Sequence, residues 1–359
     1  VLFDSGHASR PYPAVVRFAG QRMAIAGRAG SGDSFVQEER ITTVVPDSGP
    51  VSITARVFGI KPGEWSVVAD LATFPAGSDT LESRARSSRA EVRRLQPAQW
   101  SWRRWKVYPG APHPLKTRWA RIIGFDSMPA VIPGSWIALV ALGVAIGFLF
   151  QALLLPRDQF AVATVLPISL LAVVSGVIGG KLWYIALNLR SWRKAPQDGW
   201  CIQGALVGAS AVGTGAVALL HLPAGLLLDT TAPGLFIGVG VGRLGCFFTG
   251  CCAGRPTASR FGVWCSDRRV GARRIPTQLL ESLSAICIGA MSLVVFLGYR
   301  FAVPGALFVG SMAAYTLCRQ LILPLRLEQR RSALGSPLTA VGAALLLCAS
   351  VVWLVLSAR

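Results

Sequence analysis

The sequence predicts a mostly α, polytopic membrane bundle of about seven transmembrane helices, carrying a small N-terminal all-β domain. Three observations predict it. The 359 residues have a mean hydropathy of +0.51 and are 52% hydrophobic. That apolarity is unevenly placed: residues 1 to about 127 are polar and basic, and long apolar runs fill the chain from about 131 onward. Each run is long enough to cross a hydrocarbon core of ~30 Å at ~1.5 Å per residue.

The net charge of +19 would suggest nucleic acid in a soluble protein. Here most basic residues lie in short loops beside apolar runs, so anionic lipid of the bilayer is the better partner. No zinc finger, base-reading helix or aromatic stacking platform is present, and nucleic acid is set aside as a partner. No cofactor is implied.

Taken in order, residues 13–72 hold short β-like runs: AVVRF (14–18), RMAIA (22–26), ITTVV (41–45), VSITARVF (51–58) and EWSVVADL (64–71). Gly, Ser, Asp and Pro clusters separate them, as turns require. Val51, Ile53 and Ala55 alternate with Ser52, Thr54 and Arg56, the period of a half-buried strand. Residues 51–71 read as a hairpin around Lys61-Pro62-Gly63. Residues 1–80 are therefore assigned to a small β-sandwich of immunoglobulin- or fibronectin-like pattern. It holds no catalytic constellation, so a binding or spacer module is expected.

Residues 81–130 form a basic, Trp-rich juxtamembrane linker. SRARSSRAEVRRL (83–95) suits a short amphipathic helix. WSWRRWKVYPG interleaves Trp102, Trp105 and Tyr108 with Arg103, Arg104 and Lys106, a mixture suited to the lipid head-group zone. Seven apolar segments follow, at 131–155, 160–188, 201–221, 224–248, 277–298, 302–323 and 337–357, and the membrane domain is assigned to 131–359. Close-spaced small residues let such helices pack in lipid. Pro167, Gly176, Gly179 and Gly180 interrupt the second segment, a break tolerated where other groups satisfy the backbone.

The most informative stretch is GRLGCFFTGCCAGRPT, Gly242 to Thr257. Arg243 ends a run from Leu235 that carries no other charge. An ionisable residue at membrane depth costs ~2.5–3.5 kcal/mol on insertion scales and is a functional candidate. The simpler alternative is an arginine snorkelling to the interface. The surrounding glycines open backbone N–H groups toward a ligand, and a guanidinium fork pairs two phosphate oxygens at once. Cys246, Cys251 and Cys252 lie in the same stretch. Three readings stay open for them: a disulfide, with Cys265 or Cys201 as further partners; a nucleophile activated by Arg243; or a metal site, although no histidine lies near and the spacing is not a zinc pattern. Cys287, Cys318 and Cys348 read as apolar fillers.

These motifs resemble the prolipoprotein diacylglyceryl transferase family over about 131–357. Where the family reads like GRIGNFINGELWGRPT, this chain reads GRLGCFFTGCCAGRPT. Asp229, Ala232-Pro233 and Arg243 keep the family's spacing. IPTQLLE, with Pro276, Gln278 and Glu281, matches HPSQLYE. Arg319 and Arg326 in CRQLILPLR hold the arginine positions of FRxxxEFFR. Gly179-Gly180-Lys181-Leu182-Trp183-Tyr184 stands for GGRxGY, and a looser match follows at Gly204 to Gly208. The GC…GCC form resembles a divergent branch of the family.

The resemblance implies a seven-span enzyme of the bacterial inner (plasma) membrane. Its expected reaction moves a diacylglyceryl group from phosphatidylglycerol to the lipobox cysteine thiol of a prolipoprotein, leaving a thioether and glycerol phosphate. The implied partners are phosphatidylglycerol, prolipoprotein signal peptides and the bilayer. Arg243 and Arg319 would face the phosphate, with Arg326 and Lys181 as secondary charges and Gln278 and Glu281 organising the arginines. Trp136, Asp229, Cys246 and Gly254 join the substrate-binding set. Gln203 is carried into the catalytic set because it stands where the family has its candidate base, a histidine, yet glutamine takes no proton at neutral pH. Trp136 stands at a family tyrosine, Cys246 and Cys251 at an asparagine and a glutamate, and Leu323 at a late glutamate. These departures admit two alternatives: a phosphatidylglycerol-dependent transferase with another acceptor, or a non-catalytic lipid-binding scaffold.

Orientation is contested within the sequence. Loops 190–194, 255–274 and 326–331 carry about twelve Lys or Arg against about three on the opposite side, so the positive-inside rule puts the N-terminus inside. The family's topology puts it outside. The outside reading is adopted, because the basic loops flank the expected lipid-phosphate site.

Overall fold

The computed structural model describes residues 1–23, 30–73, 92–117, 128–189, 199–299, 303–327 and 334–357. Up to residue 91, the helix expected over 83–95 lies outside them; Val92–Arg94 is a strand. The chain divides into two compact units. The first is Val1–Leu139, Arg243–Leu280 and Ile322–Arg330; the second is Val140–Gly242, Glu281–Leu321 and Arg331–Arg359.

Among the described residues, seven helices are long and apolar enough to cross a membrane, and the protein is a multi-pass membrane protein. They are α1 (Ser135–Leu154), α2 (Val162–Leu187), α3 (Ile202–Leu219), α4 (Ala224–Thr249), α5 (Thr277–Gly298), α6 (Ala306–Ile322) and α7 (Gly335–Ser357). All seven fall on the expected apolar segments. Pro167 lies inside α2 and Pro233 inside α4; both helices continue through them.

Among the described residues, the β part of the first unit holds nine N-terminal strands: β1 (Leu2–Asp4), β2 (Tyr12–Arg22), β3 (Ser34–Val44), β4 (Pro50–Ile53), β5 (Gly63–Thr73), β6 (Val92–Arg94), β7 (Ala98–Ser101), β8 (Lys106–Pro109) and β9 (Leu115–Thr117). Two more, β10 (Val263–Ser266) and β11 (Val270–Arg274), come from the α4–α5 connection. One antiparallel sheet runs β3-β2-β5-β6 with β9 also on β5. The other runs β1-β4-β11-β10, and β7 pairs with β8. In β2, Ala14, Val16 and Phe18 are buried while Arg17 is exposed, the period-2 pattern of a one-sided strand. They share one core with Ile41 and Leu71 of their own sheet and with Phe3, Val51, Ile53 and Ala272 of the other. The sandwich is thus two sheets around one apolar layer, and Ala272 reaches that layer from the α4–α5 connection.

The hairpin expected over 51–71 does not form. β4 pairs with β1 and β11, and β5 pairs with β2, β6 and β9. The stretch expected as a strand over 51–58 stops at Ile53, and Phe58 is 80% exposed. Ser52 lies opposite Gly271 instead. A partner so distant along the chain leaves no trace in local alternation, which records a half-buried strand but not its neighbour.

At the rim of this sandwich Asp33 is buried. It accepts bonds from Gly30 N (2.9 Å), Arg22 Nε (2.7 Å) and Lys61 Nζ (2.9 Å). The Gly30 amide and Lys61, with help from Arg22, hold its carboxyl down at about 2. The Trp-rich segment is the β7–β8 hairpin. Trp100 stacks on Trp264 at 4.9 Å and Trp105 on Phe247 at 5.6 Å. The Trp105 indole also donates to Trp264 O at 3.0 Å. Trp102 and Tyr108 stay exposed. Two of the expected interfacial aromatics therefore face out, and Trp100 and Trp105 pack inward on the unit's own aromatic cluster.

In the second unit, helices meet backbone to backbone. A methyl group on Gly143 of α1 would lie 2.3 Å from Gly238 O of α4, and one on Gly179 of α2 would lie 2.6 Å from Gly204 O of α3. Lipid supplies no hydrophobic drive between helices, so close van der Waals approach and short polar bonds replace it. Ser282 Oγ donates to Gly240 O at 2.7 Å, Ser292 and Ser311 hydroxyls meet at 2.7 Å, and Gln151 Nε2 donates to Thr231 Oγ1 at 2.9 Å.

Candidate functional site

In the first unit, the block from Arg243 to Thr257 begins on the last two turns of α4. The helix stops because Gly250 takes a left-handed φ of 73°, the usual device for ending a helix. Gly250 N and Cys251 N both return to Cys246 O, at 3.1 and 3.0 Å. Arg268 Nε donates to Thr249 O at 2.9 Å, which satisfies a terminal carbonyl and sets a cation against the negative end of the helix. Cys252, with φ 57°, turns the chain again.

The next five residues run between two other segments. Ala253 O accepts from Leu327 N at 3.0 Å, Arg255 N donates to Leu325 O at 2.9 Å, and Thr257 N donates to Arg273 O at 2.9 Å. Gly254 forms a β-bridge with Arg326. A Cβ on Gly254 would sit 2.1 Å from Ile275 O, so glycine is required by close backbone approach. Arg274, 2% exposed, reaches Gly254 O at 3.2 Å and Asp267 Oδ2 at 2.7 Å. Gln278, 1% exposed, donates from Nε2 to Cys251 O at 2.9 Å, and Thr277 Oγ1 donates to Cys252 O at 3.2 Å.

The three thiols of this block converge. Cys246, Cys251 and Cys252 have all their Sγ atoms within 4.8 Å of one another. All eight cysteines are free thiols, so the disulfide reading finds no bond here. The Cys252 thiol is held well below its ordinary range by hydrogen bonds from Cys246 and Cys251, then by the charges of Arg326 and Arg243. The Cys251 thiol is pushed up by its bonds to Cys246 and Cys252 and by burial. Both arginines therefore act on the same thiol. An open pocket of about 480 Å³ reaches Cys251 and Cys252 and is edged by Asp267 and Arg268. Cys265, in β10, is pushed up to about 11 by burial, and it reads as inert.

Trp136, on the first turn of α1, is 40% exposed; its Cα would lie 3.0 Å from a Cβ on Gly245. Arg326 is 3% exposed, just beyond the Leu323–Leu325 turn. The unit thus brings together Arg243, Cys246, Gly254, Gln278 and Arg326 of the expected set. Sequence reasoning missed Asp267, Arg268, Arg274 and Thr277. The paired arginines at 268–269 and 273–274 mark that loop in the sequence, and Thr277 stands inside the IPTQLLE motif.

In the second unit, Arg319 Nη1 lies 4.0 Å from Glu281 Oε2; the glutamate side chain is 2% exposed and the arginine 37%. Asp229 is 1% exposed, and its carboxylate accepts from Gly305 N (2.6 Å) and Phe308 N (2.9 Å) at the start of α6. Both oxygens are engaged with the positive end of a helix, an N-cap arrangement. Lys181 Nζ donates to Gly199 O at 3.4 Å and lies 5.6 Å from the Tyr184 ring centroid. Gln203 is exposed near the start of α3 and accepts from the Cys201 thiol at 2.6 Å. His221 lies just beyond the end of α3, with a left-handed φ of 51°.

The profile of one family, prolipoprotein diacylglyceryl transferase, matches residues 134–357. The chain belongs to the prolipoprotein diacylglyceryl transferase family. Among similar proteins is the phosphatidylglycerol–prolipoprotein diacylglyceryl transferase of Dehalococcoides mccartyi, 31% identical over 166 residues, 44% of this chain and 63% of that protein. The phosphatidylglycerol–prolipoprotein diacylglyceryl transferase 2 of Clostridium perfringens is 31% identical over 178 residues, 46% of this chain and 67% of that one. The Streptomyces griseus protein named phosphatidylglycerol–prolipoprotein diacylglyceryl transferase is 30% identical over 212 residues, 55% and 64%. The chain thus spans about two thirds or less of the length of these relatives. As a member of the diacylglyceryl transferase family it carries its β-sandwich strands β1–β9 outside the matched region, while β10 and β11, which complete the sandwich, lie inside it.

Proposed function

We propose that this protein transfers the diacylglyceryl group of phosphatidylglycerol to the cysteine thiol of a prolipoprotein lipobox. The observation that carries the reading is the family match over residues 134–357, which includes the Arg243 block. On this reading Arg243 and Arg319 hold the phosphodiester, and Arg326 and Lys181 add positive potential. Glu281 orients Arg319, Gln278 fixes the Cys251 backbone, and Trp136, Asp229, Cys246 and Gly254 shape the substrate side. The thiol sulfur attacks the glycerol carbon that bears the phosphate ester. The C–O bond breaks, and glycerol phosphate departs with the electron pair. A phosphodiester monoanion becomes a monoester with more charge, so fixed guanidinium groups stabilise the transition state more than the ground state. The acceptor must lose its proton, and Gln203 cannot take it.

Residues 1–80 then serve as an extracytoplasmic recognition module, 81–130 link it to the membrane while lending β6 and β9 to its sheet, and 131–359 form the catalytic membrane domain in the bacterial inner membrane. A cysteine placed at exposed Val36 (60% exposed) is expected to react with an impermeant reagent in intact cells. Reaction only after lysis would reverse this orientation.

A second reading, favoured by Gln203, keeps phosphatidylglycerol and changes the acceptor. Purified protein incubated with headgroup-labelled phosphatidylglycerol separates the two. The first reading expects labelled glycerol phosphate to appear only when a lipobox peptide with its cysteine is present. Release without that peptide supports another acceptor, and no release with lipid still bound supports a scaffold.

A further inference from the structure

We propose that Cys246, Cys251 and Cys252 hold a zinc ion through three thiolates and leave its fourth position open to the acceptor thiol. The second half of this proposal rests on the transferase reading above; the first does not.

The geometry is that of a three-sulfur face. Zinc takes thiolate sulfur at ~2.3 Å in a tetrahedral arrangement, which sets neighbouring sulfurs ~3.8 Å apart. The three Sγ atoms already lie within 4.8 Å of one another, so closing on an ion needs shifts of ~1 Å or less. The backbone that carries them is fixed. Cys251 N bonds Cys246 O, Gln278 Nε2 bonds Cys251 O, and Thr277 Oγ1 bonds Cys252 O. Such outer bonds orient ligands before the ion arrives. Thiolate is also the ligand class that selects zinc over hard cations.

Two further observations bear on what the site does. The pocket of about 480 Å³ reaches Cys251 and Cys252, so a fourth ligand can approach from outside. A structural zinc site is closed by four protein ligands, whereas a site with three keeps one position for water or substrate. Three thiolates and Zn²⁺ together carry one negative charge, and the charges of Arg326 and Arg243 both reach this cluster, offsetting it.

The chemistry fits the step left without a base. A thiol that coordinates zinc is deprotonated outright. The acceptor thiol binds zinc and releases its proton to water. Its sulfur then attacks the glycerol carbon of phosphatidylglycerol; the C–S bond forms, the C–O bond breaks, and glycerol phosphate leaves with the electron pair. The thioether is a weaker ligand than the thiolate and gives up the fourth position. No electron is gained or lost overall, and Gln203 needs no proton-accepting role.

The test uses full-length protein purified without chelator. The expected result is about one zinc per chain, with each of C246S, C251S and C252S lowering zinc retention about tenfold or more, and Cys287→Ser, an exposed thiol elsewhere, leaving it unchanged. Gel filtration of each variant separates lost zinc from lost fold. Substituted Co²⁺ is expected to show the intense visible bands of a tetrahedral thiolate site, and those bands are expected to shift with a lipobox peptide but not with its serine counterpart. Protein that takes up no zinc, or a Cys–Cys bond among the three found by mass spectrometry, overturns the site. Bound Co²⁺ whose spectrum ignores the thiol peptide overturns the acceptor role. A shifted spectrum without glycerol phosphate release leaves the site standing and fails the transferase reading instead.

Discussion

Arg243→Ala is expected to slow the proposed diacylglyceryl transfer by about two to three orders of magnitude, the usual cost of ~2.7–4 kcal/mol for removing a charge-stabilising donor. The guanidinium sits on the penultimate turn of α4, where its charge reaches the thiol cluster together with that of Arg326. Arg243→Lys is expected to recover only part of the loss, since an ammonium keeps the charge but not the two-point fork. The effect should fall on turnover more than on lipid binding, because the leaving phosphate gains charge only as the C–O bond breaks. Rates of glycerol phosphate release across a range of lipid concentrations check this. An alanine variant with unchanged turnover removes Arg243 from the chemistry.

Asp267→Ala is expected to lower stability by about 3–5 kcal/mol. The aspartate holds two structures at once. Its Oδ2 pairs with Arg274 Nη2 at 2.7 Å, and its Oδ1 accepts from Arg269 N and Val270 N at 3.0 and 2.7 Å across the β10–β11 turn. Arg274 is 2% exposed, so removing Asp267 leaves a buried charge without its counter-ion, held only by the Gly254 and Val270 carbonyls. The damage reaches the site, because the same guanidinium holds Gly254 O. Pairing the change with Arg274→Met is expected to restore much of the loss, since replacing both charges by apolar volume is often close to neutral. Thermal unfolding of the detergent-solubilised single and double variants decides it. A single variant as stable as the parent would contradict the buried-pair account.

The seven spans were legible because their signal is local: an apolar run of sufficient length needs no partner to be recognised. The Arg243 block was legible for a related reason. Its glycines, arginine and cysteines are dense in sequence, and Gly254 proves to be glycine because Ile275 O lies where a side chain would begin. Strand partners were not legible. β4 alternates as a half-buried strand should, but its neighbour β11 stands more than two hundred positions away, and no period in either strand names the other. The same limit hid Asp267 and Arg274, which look like ordinary loop charges until folding buries one and aims the other at it. Asp229 shows a middle case. Its spacing from Arg243 marked it in the sequence, but only the fold reveals that it accepts the first amides of α6. The cysteines were visible as a cluster in the sequence, while their convergence within 4.8 Å depends on the left-handed turns at Gly250 and Cys252.

The most direct test of the central claim is the mass of a lipobox peptide after incubation with the purified protein and phosphatidylglycerol. The account predicts a peptide heavier by one diacylglyceryl group on its cysteine, in a linkage that survives hydroxylamine as a thioether does. A peptide recovered unmodified, while phosphatidylglycerol remains bound to folded protein, would contradict it.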